Sequence, residues 1–269
     1  MLRKIVETKK EEVARLKQRT TMQSLLDQAS FAPPVRDFHR ALVDSPRPVS
    51  VIAEVKKASP SKGVIREDFE PVTLAQAYAS ADAEAISVLT DETYFQGSLQ
   101  YLRCIREAVA QPLLRKDFLI DEMQVAEART AGADCILLIA AILEGNQLRH
   151  LFQTASALGM DVLLEVHDRK ELELVFRYTE PKLLGINNRN LRTFETNVKT
   201  TAELAALVPP GVAVVSESGI GKRQDIECVL EAGARAVLVG EHFMRQADVR
   251  QAVIDLAGER LDLTGRVGR

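Results

Sequence analysis

The chain has 269 residues, 46% hydrophobic and 27% charged, the balance of an ordinary water-soluble protein with enough length to bury a large core. Thirty-five Lys plus Arg against 38 Asp plus Glu leave a net charge of −3, so no broad basic field is available to hold a nucleic acid. No apolar run approaches the roughly 20 residues of a membrane span, and the opening MLRKIVETKKEEVARLK lacks the apolar stretch of a signal peptide.

In the first 48 residues, Leu2, Ile5, Val6, Val13 and Leu16 recur at helical spacing, which predicts an amphipathic helix packed on whatever follows. Its Lys and Arg residues are expected to form a solvated face. Beyond residue 48 the sequence alternates short apolar runs with helical patterns. The runs are VSVIAEV, AISVL, PLLRK, CILLIA, DVLLEV, KLLGIN, VAVVSE and AVLVG. They are nearly continuous in Val, Ile and Leu, as strands covered on both faces must be. Two of the intervening helices run into Ala-Gly-Ala at Gly132 and Gly233, a C-cap directly before the next strand.

The strand ends fall at positions 56, 89, 116, 139, 165, 187, 217 and 240, between 22 and 33 residues apart. Each interval fits one strand-helix unit. Eight units close a (β/α)8 barrel, whereas an open doubly wound sheet uses five or six strands. The expected organisation is one domain over 1–269: a helical extension to residue 48, the barrel over 49–258, and a frayed tail over 259–269. Cys104, Cys135 and Cys228 are odd in number and widely spaced. They suit neither a disulfide framework nor a zinc site, and point to the reducing cytoplasm.

In such a barrel the site lies at the C-terminal strand ends. Side chains alternate along a strand, so Glu54 and Lys56 face opposite to Val51, Ala53 and Val55 and are expected to point into the barrel mouth. By the same parity Lys116 and Phe118 follow Leu114, Glu165 follows Leu163, Asn187 follows Gly185, and Glu217 follows Val215. Arg189 lies just past the sixth strand. Three carboxylates and three cations then meet on one rim, where opposite signs offset part of the desolvation. A structural ion-pair network is the plainer account, but pairs of this kind stabilise little, so catalysis explains the set better. After the seventh and eighth strands, ESGIG and VGEHFM place Ser218, Gly219 and Gly240 where such barrels seat a phosphate. His167 shares the parity of Glu165 but is read as the start of the next helix region. His39, His150 and His242 are isolated, and no ligand cluster for a metal is apparent, so chemistry without metal or other cofactor is expected.

The segments IAEVKKASPSKGVI, SVLTDETYFQGSL, LLRKDFLID, LLEVHD, LLGINNRNLRTFE and VSESGI closely resemble the indole-3-glycerol-phosphate synthases of tryptophan biosynthesis, in the same order and over nearly the whole chain. The resemblance implies a metal-independent (β/α)8 barrel. It would convert 1-(2-carboxyphenylamino)-1-deoxyribulose 5-phosphate into indole-3-glycerol phosphate, carbon dioxide and water. It also implies residue roles. Lys116 matches the general acid, Glu165 the general base, and Lys56 a second lysine that contacts substrate. Glu54 and Glu217 would keep the lysines charged, and Asn187 would hydrogen-bond in the site. Ser59 and Arg189 match positions near the substrate carboxylate, and Phe118 the aromatic pocket. Ser218, Gly219, Gly240 and Glu241 match the phosphate seat; a carboxylate repels phosphate, so Glu241 could serve only through its backbone N–H.

DEMQV and LIAAIL depart from the family's usual segments without touching a proposed catalytic group. No fused second barrel is expected. The partner is a small phosphorylated molecule, with neither nucleic acid nor membrane, and the protein is expected to be a monomer. Two other readings compete. One is a Schiff-base aldolase using Lys56 or Lys116 as nucleophile; the other is a non-catalytic phosphate-binding barrel. KKASPSKG is expected to be a mobile closing loop, with a fixed turn as the alternative.

Overall fold

The computed structural model describes residues 1–190 and 195–258, so the tail foreseen over 259–269 lies outside the described residues. Eight parallel strands close into a barrel: β1 (Ser50–Val55), β2 (Ala85–Leu89), β3 (Leu113–Lys116), β4 (Cys135–Ile139), β5 (Asp161–Val166), β6 (Leu183–Asn187), β7 (Ala213–Glu217) and β8 (Ala236–Val239). Each strand pairs with its neighbours in sequence. The ring closes where Ser50 to Ala53 of β1 lie beside Ala236 to Val239 of β8. This is the (β/α)8 architecture the repeat predicts.

Strand parity sorts the core into two layers. Val51, Ala53 and Val55 join the layer between strands and helices, while Ile52, Leu114, Leu163, Leu183, Val215 and Leu238 fill the interior. Gly132 and Gly233 adopt φ of +89° and +85° at helix ends, the left-handed cap that their place before a strand requires.

The N-terminal extension is three helices, not one. α1 (Leu2–Arg19) buries Ile5, Val13 and Leu16, and α2 (Met22–Phe31) packs on the helix Glu122–Thr130. α3 (Phe38–Val43) plugs the N-terminal end of the barrel with Phe38 and Leu42, both fully buried among the interior side chains. One expectation about α1 needs correction. Most of its cations face solvent, but Lys9 is 1% exposed and bonds Asp91 at 2.8 Å, Asp117 at 2.9 Å and Glu12 at 2.8 Å. Three carboxylates more than offset the burial of its ammonium, whose pKa rises above the ordinary lysine value.

The segment after β1 forms a small hairpin, in which Ala58–Ser59 pairs with Gly63–Val64 and Ile65 N–H donates to Lys57. Among the described residues no helix is long and apolar enough to cross a membrane.

Candidate active site

A cavity of about 710 Å³ opens at the C-terminal ends of the strands. Interior side chains Leu137, Ile139 and Leu238 form its apolar floor. All the residues singled out from sequence line it: Glu54, Lys56, Ser59, Lys116, Phe118, Glu165, Asn187, Arg189, Glu217, Ser218, Gly219, Gly240 and Glu241.

Lys116 is the hub. Its Nζ donates to Glu165 Oε2 at 3.0 Å and to Glu217 Oε2 at 2.5 Å. Burial alone would push an ammonium's pKa down, but Glu165, Glu217 and Glu54 together raise it above the ordinary lysine range. Two glutamates sharing one cation then diverge. Burial would raise Glu165, yet Lys116 and His167 hold it far below the usual carboxylate range. Glu217 is pushed up to about 7 by burial and by the charges of Glu165 and Glu54, which outweigh Lys116. Beside this trio, Lys56 Nζ lies 2.6 Å from Glu54 Oε1.

Two glycines make room for these carboxylates. A Cβ on Gly185 would collide with Glu217 Oε1, and one on Gly240 with Glu54 Oε1 while standing 3.0 Å from Lys56 Nζ. Since φ at Gly240 is −124°, space rather than backbone conformation demands glycine there.

Ion pairs at the opposite end of the barrel give a useful contrast. Arg47–Glu84 and Arg106–Asp134 are equally buried, but they hold backbone: Glu84 accepts from Val51 N–H, and Asp134 from Arg36 and Leu113 N–H. Those pairs staple chain segments. The pairs at the mouth instead face a cavity large enough for a ligand.

At one side of the mouth, Ser218 and Gly219 have successive φ of +68° and +77°. The buried Asn188 braces this turn, donating to the Ser218 carbonyl and the Ser216 hydroxyl, each at 3.0 Å. The neighbouring short helix Glu241–Met244 begins at Gly240, and its first-turn N–H groups have no intrahelical acceptor. The Glu241 carboxylate is engaged by Arg245 at 3.0 Å, with Arg189 at 3.7 Å. Among the described residues no cluster of His, Cys, Asp and Glu is arranged to hold a metal ion.

At another side, Phe118 and Phe95 pack with ring centroids 6.0 Å apart, and Met1, Leu2 and Ile5 of the N-terminal segment complete the wall. A flat apolar group fits this side, and an anion fits the side of Ser218 and Gly240.

Comparison with known proteins narrows the chemistry. The family model for indole-3-glycerol phosphate synthase matches residues 2–256. The chain belongs to the indole-3-glycerol phosphate synthase family. Among proteins of that name, one from Geobacillus kaustophilus is 50% identical over 259 residues, covering 96% of this chain and 97% of its own. One from Bordetella pertussis is 51% identical over 250 residues, covering 92% and 95%. A solved structure described as native KDPGal superposes with a TM-score of 0.54 at 16% identity, over 77% of this chain and 90% of its own, and this likeness shows the fold alone. As an indole-3-glycerol phosphate synthase of tryptophan biosynthesis, the chain is a decarboxylating lyase.

Several residues around the site of this synthase were not picked out from sequence. Phe95 lies in the segment SVLTDETYFQGSL, past the end of its strand, where no parity marks it. Asn188 points away from the cavity and acts on its neighbours. Lys9 and His167 had detectable signals: Lys9 lies on the stripe of Ile5, Val13 and Leu16, and His167 shares the parity of Glu165.

Proposed function

We propose that Lys116 and Glu165 are the general acid and general base of the indole ring closure. The observation that carries this reading is the Lys116 ammonium, shared between Glu165 and Glu217 beneath an open cavity. In the first step the ring carbon bearing the carboxylate bonds to the ketone carbon of the sugar chain. The carbonyl electron pair moves to oxygen, which takes a proton from Lys116. Carbon dioxide then leaves, returning its bonding pair to the ring and restoring aromaticity. In the last step the new hydroxyl departs as water with a proton from Lys56, while Glu165 removes the amine-side proton.

The geometry supports the proton balance of this scheme. Lys116 gives one proton and Glu165 gains one, and the 3.0 Å bond between them lets the second recharge the first, while Lys56 is reprotonated from solvent by the one proton that loss of a carboxylate as carbon dioxide consumes. Glu217 and Glu54 favour the ionised lysines through their opposite charge. We assign Ser59, Arg189 and Asn187 to the substrate's carboxylate and polar chain. Phe118 and Phe95 hold its ring, and Ser218, Gly219, Gly240 and the Glu241 backbone hold its phosphate. The Glu241 side chain, held by Arg245, need not oppose the phosphate. An extended substrate folded between these two ends meets the orientation demand of a ring closure.

The aldolase reading fares worse. A Schiff-base nucleophile must be a free amine, and three carboxylates keep Lys116 protonated. The same proposal makes the enzyme a monomer in the reducing cytoplasm, with Cys104, Cys135 and Cys228 as free thiols.

The test mixes purified protein, in EDTA, with 1-(2-carboxyphenylamino)-1-deoxyribulose 5-phosphate and follows indole fluorescence. Turnover without added metal, and no covalent adduct after borohydride, is the expected result. A borohydride-trapped lysine would overturn the acid-base assignment, and a requirement for metal would overturn the metal-free scheme.

A further inference from the structure

We propose that His167, backed by Glu171, is a positioning residue that fixes the Glu165 carboxylate and supplies it with a second cation. The inference rests on the reading of Glu165 as the base. His167 is the first residue past β5, with its side chain 10% exposed. Its Nε2 lies 3.2 Å from Glu165 Oε1, while Lys116 bonds the other oxygen, Oε2. Behind the ring, Glu171 Oε2 meets both His167 Nδ1 at 3.0 Å and His167 N–H at 2.8 Å. One carboxylate oxygen thus pins both ring and backbone, fixing where Nε2 points.

The contact from Nε2 to Glu165 falls outside strict hydrogen-bond alignment, yet at 3.2 Å it pairs the ring directly with the carboxylate. The charge on that ring is well supported. Burial would push the imidazole's pKa down, but Glu165 and Glu171 push it up to about 10. The short 3-10 turn Ala140–Ile142, packed against β5 and the helix Arg169–Tyr178, contributes no charged group. Glu165 is faced by Lys116 from β3, and Lys116 in turn by Glu217 from β7 and Glu54 from β1.

The arrangement solves a problem posed by the chemistry. Once Lys116 gives up its proton, Glu165 loses the cation at Oε2, and a buried carboxyl without a counter-charge would titrate upward. His167 remains at Oε1 through that step. Glu165 therefore stays ionised and oriented, with Oε2 open to receive the substrate's proton.

The test compares the pH dependence of kcat for wild type, His167→Gln and Glu171→Gln, with the fold of each verified by near-ultraviolet circular dichroism. Removing the imidazolium should move the acid limb of the kcat profile up by at least about one pH unit. It should also lower the plateau about tenfold, leaving KM within about threefold. Glu171→Gln should move the limb in the same direction by a smaller amount. An acid limb that stays in place in both variants overturns the inference. Glu165→Gln, measured alongside, separates two failures. If it retains turnover, the base assignment falls and this inference with it. If it abolishes turnover while both variants keep the wild-type limb, only the role of His167 falls.

Discussion

Lys9, in the N-terminal helix, bonds Asp117, the residue that directly follows Lys116. The same ammonium bonds Asp91, whose other oxygen caps the short helix Glu92–Phe95 and thereby sets Phe95. Asp117 is also tied to Arg115 and Thr90, and its pKa, which burial would raise, is held at about 2 chiefly by Lys9 and Arg115. One cation from outside the barrel therefore braces the loops that carry both Phe95 and Phe118.

Replacing it should be costly. Lys9→Met leaves the buried Asp91 without a cation and Asp117 with Arg115 alone, and losing one partner of a buried ionic set typically costs about 3–5 kcal/mol. Urea unfolding followed by circular dichroism measures this. A loss under about 1 kcal/mol would mean that Asp117 is satisfied without Lys9.

Lys116→Ala is expected to lower kcat by at least about 10²-fold while changing KM far less, because a general acid acts in the transition state and not in ground-state binding. Steady-state kinetics decide it. Turnover near wild type would remove Lys116 from the acid role.

Gly240→Ala adds one methyl where Glu54 and Lys56 already stand. Both side chains must shift, and a misplacement of about 1 Å can cost about 10²-fold, so kcat/KM should fall by roughly that factor. An alanine variant with unaltered kcat/KM would show that the Glu54–Lys56 pair is free to move without consequence.

Glu217 gives a pH signature with a definite sign. Its carboxyl is raised from 4.5 to about 7 in the folded protein, so the bound proton favours folding. That contribution is complete below about 4.5 and is lost as pH rises through about 7. Glu217→Gln carries no such proton. Relative to wild type it should therefore gain stability as pH rises from 5 to 8. Urea midpoints at the two pH values provide the measurement, and a difference independent of pH would contradict it.

Strand parity was enough to aim Glu54, Lys116, Glu165 and Glu217 at one cavity, because a buried strand leaves each side chain only two directions. The strand count and spacing likewise led to the closed barrel. Lys9 escaped because a lysine among polar neighbours reads as solvated, although its place four residues from both Ile5 and Val13 put it on the buried stripe. His167 was assigned to the helix that follows, and its local pairing with Glu171, four residues on, depends on how that helix starts. The engagement of Glu241 by Arg245 is a local helical pair, but its value depends on the neighbouring phosphate seat, which pattern alone does not orient.

The closing seam between β1 and β8 also has a consequence for synthesis. A ribosome delivers Ser50–Val55 early, yet its partner Ala236–Val239 emerges only after six further strands. Until then the nascent sheet keeps two raw edges, which invite pairing with other chains. Gly240, which packs against the Glu54–Lys56 pair, arrives with that last strand, so a truncated chain lacks this part of the site as well as the seam.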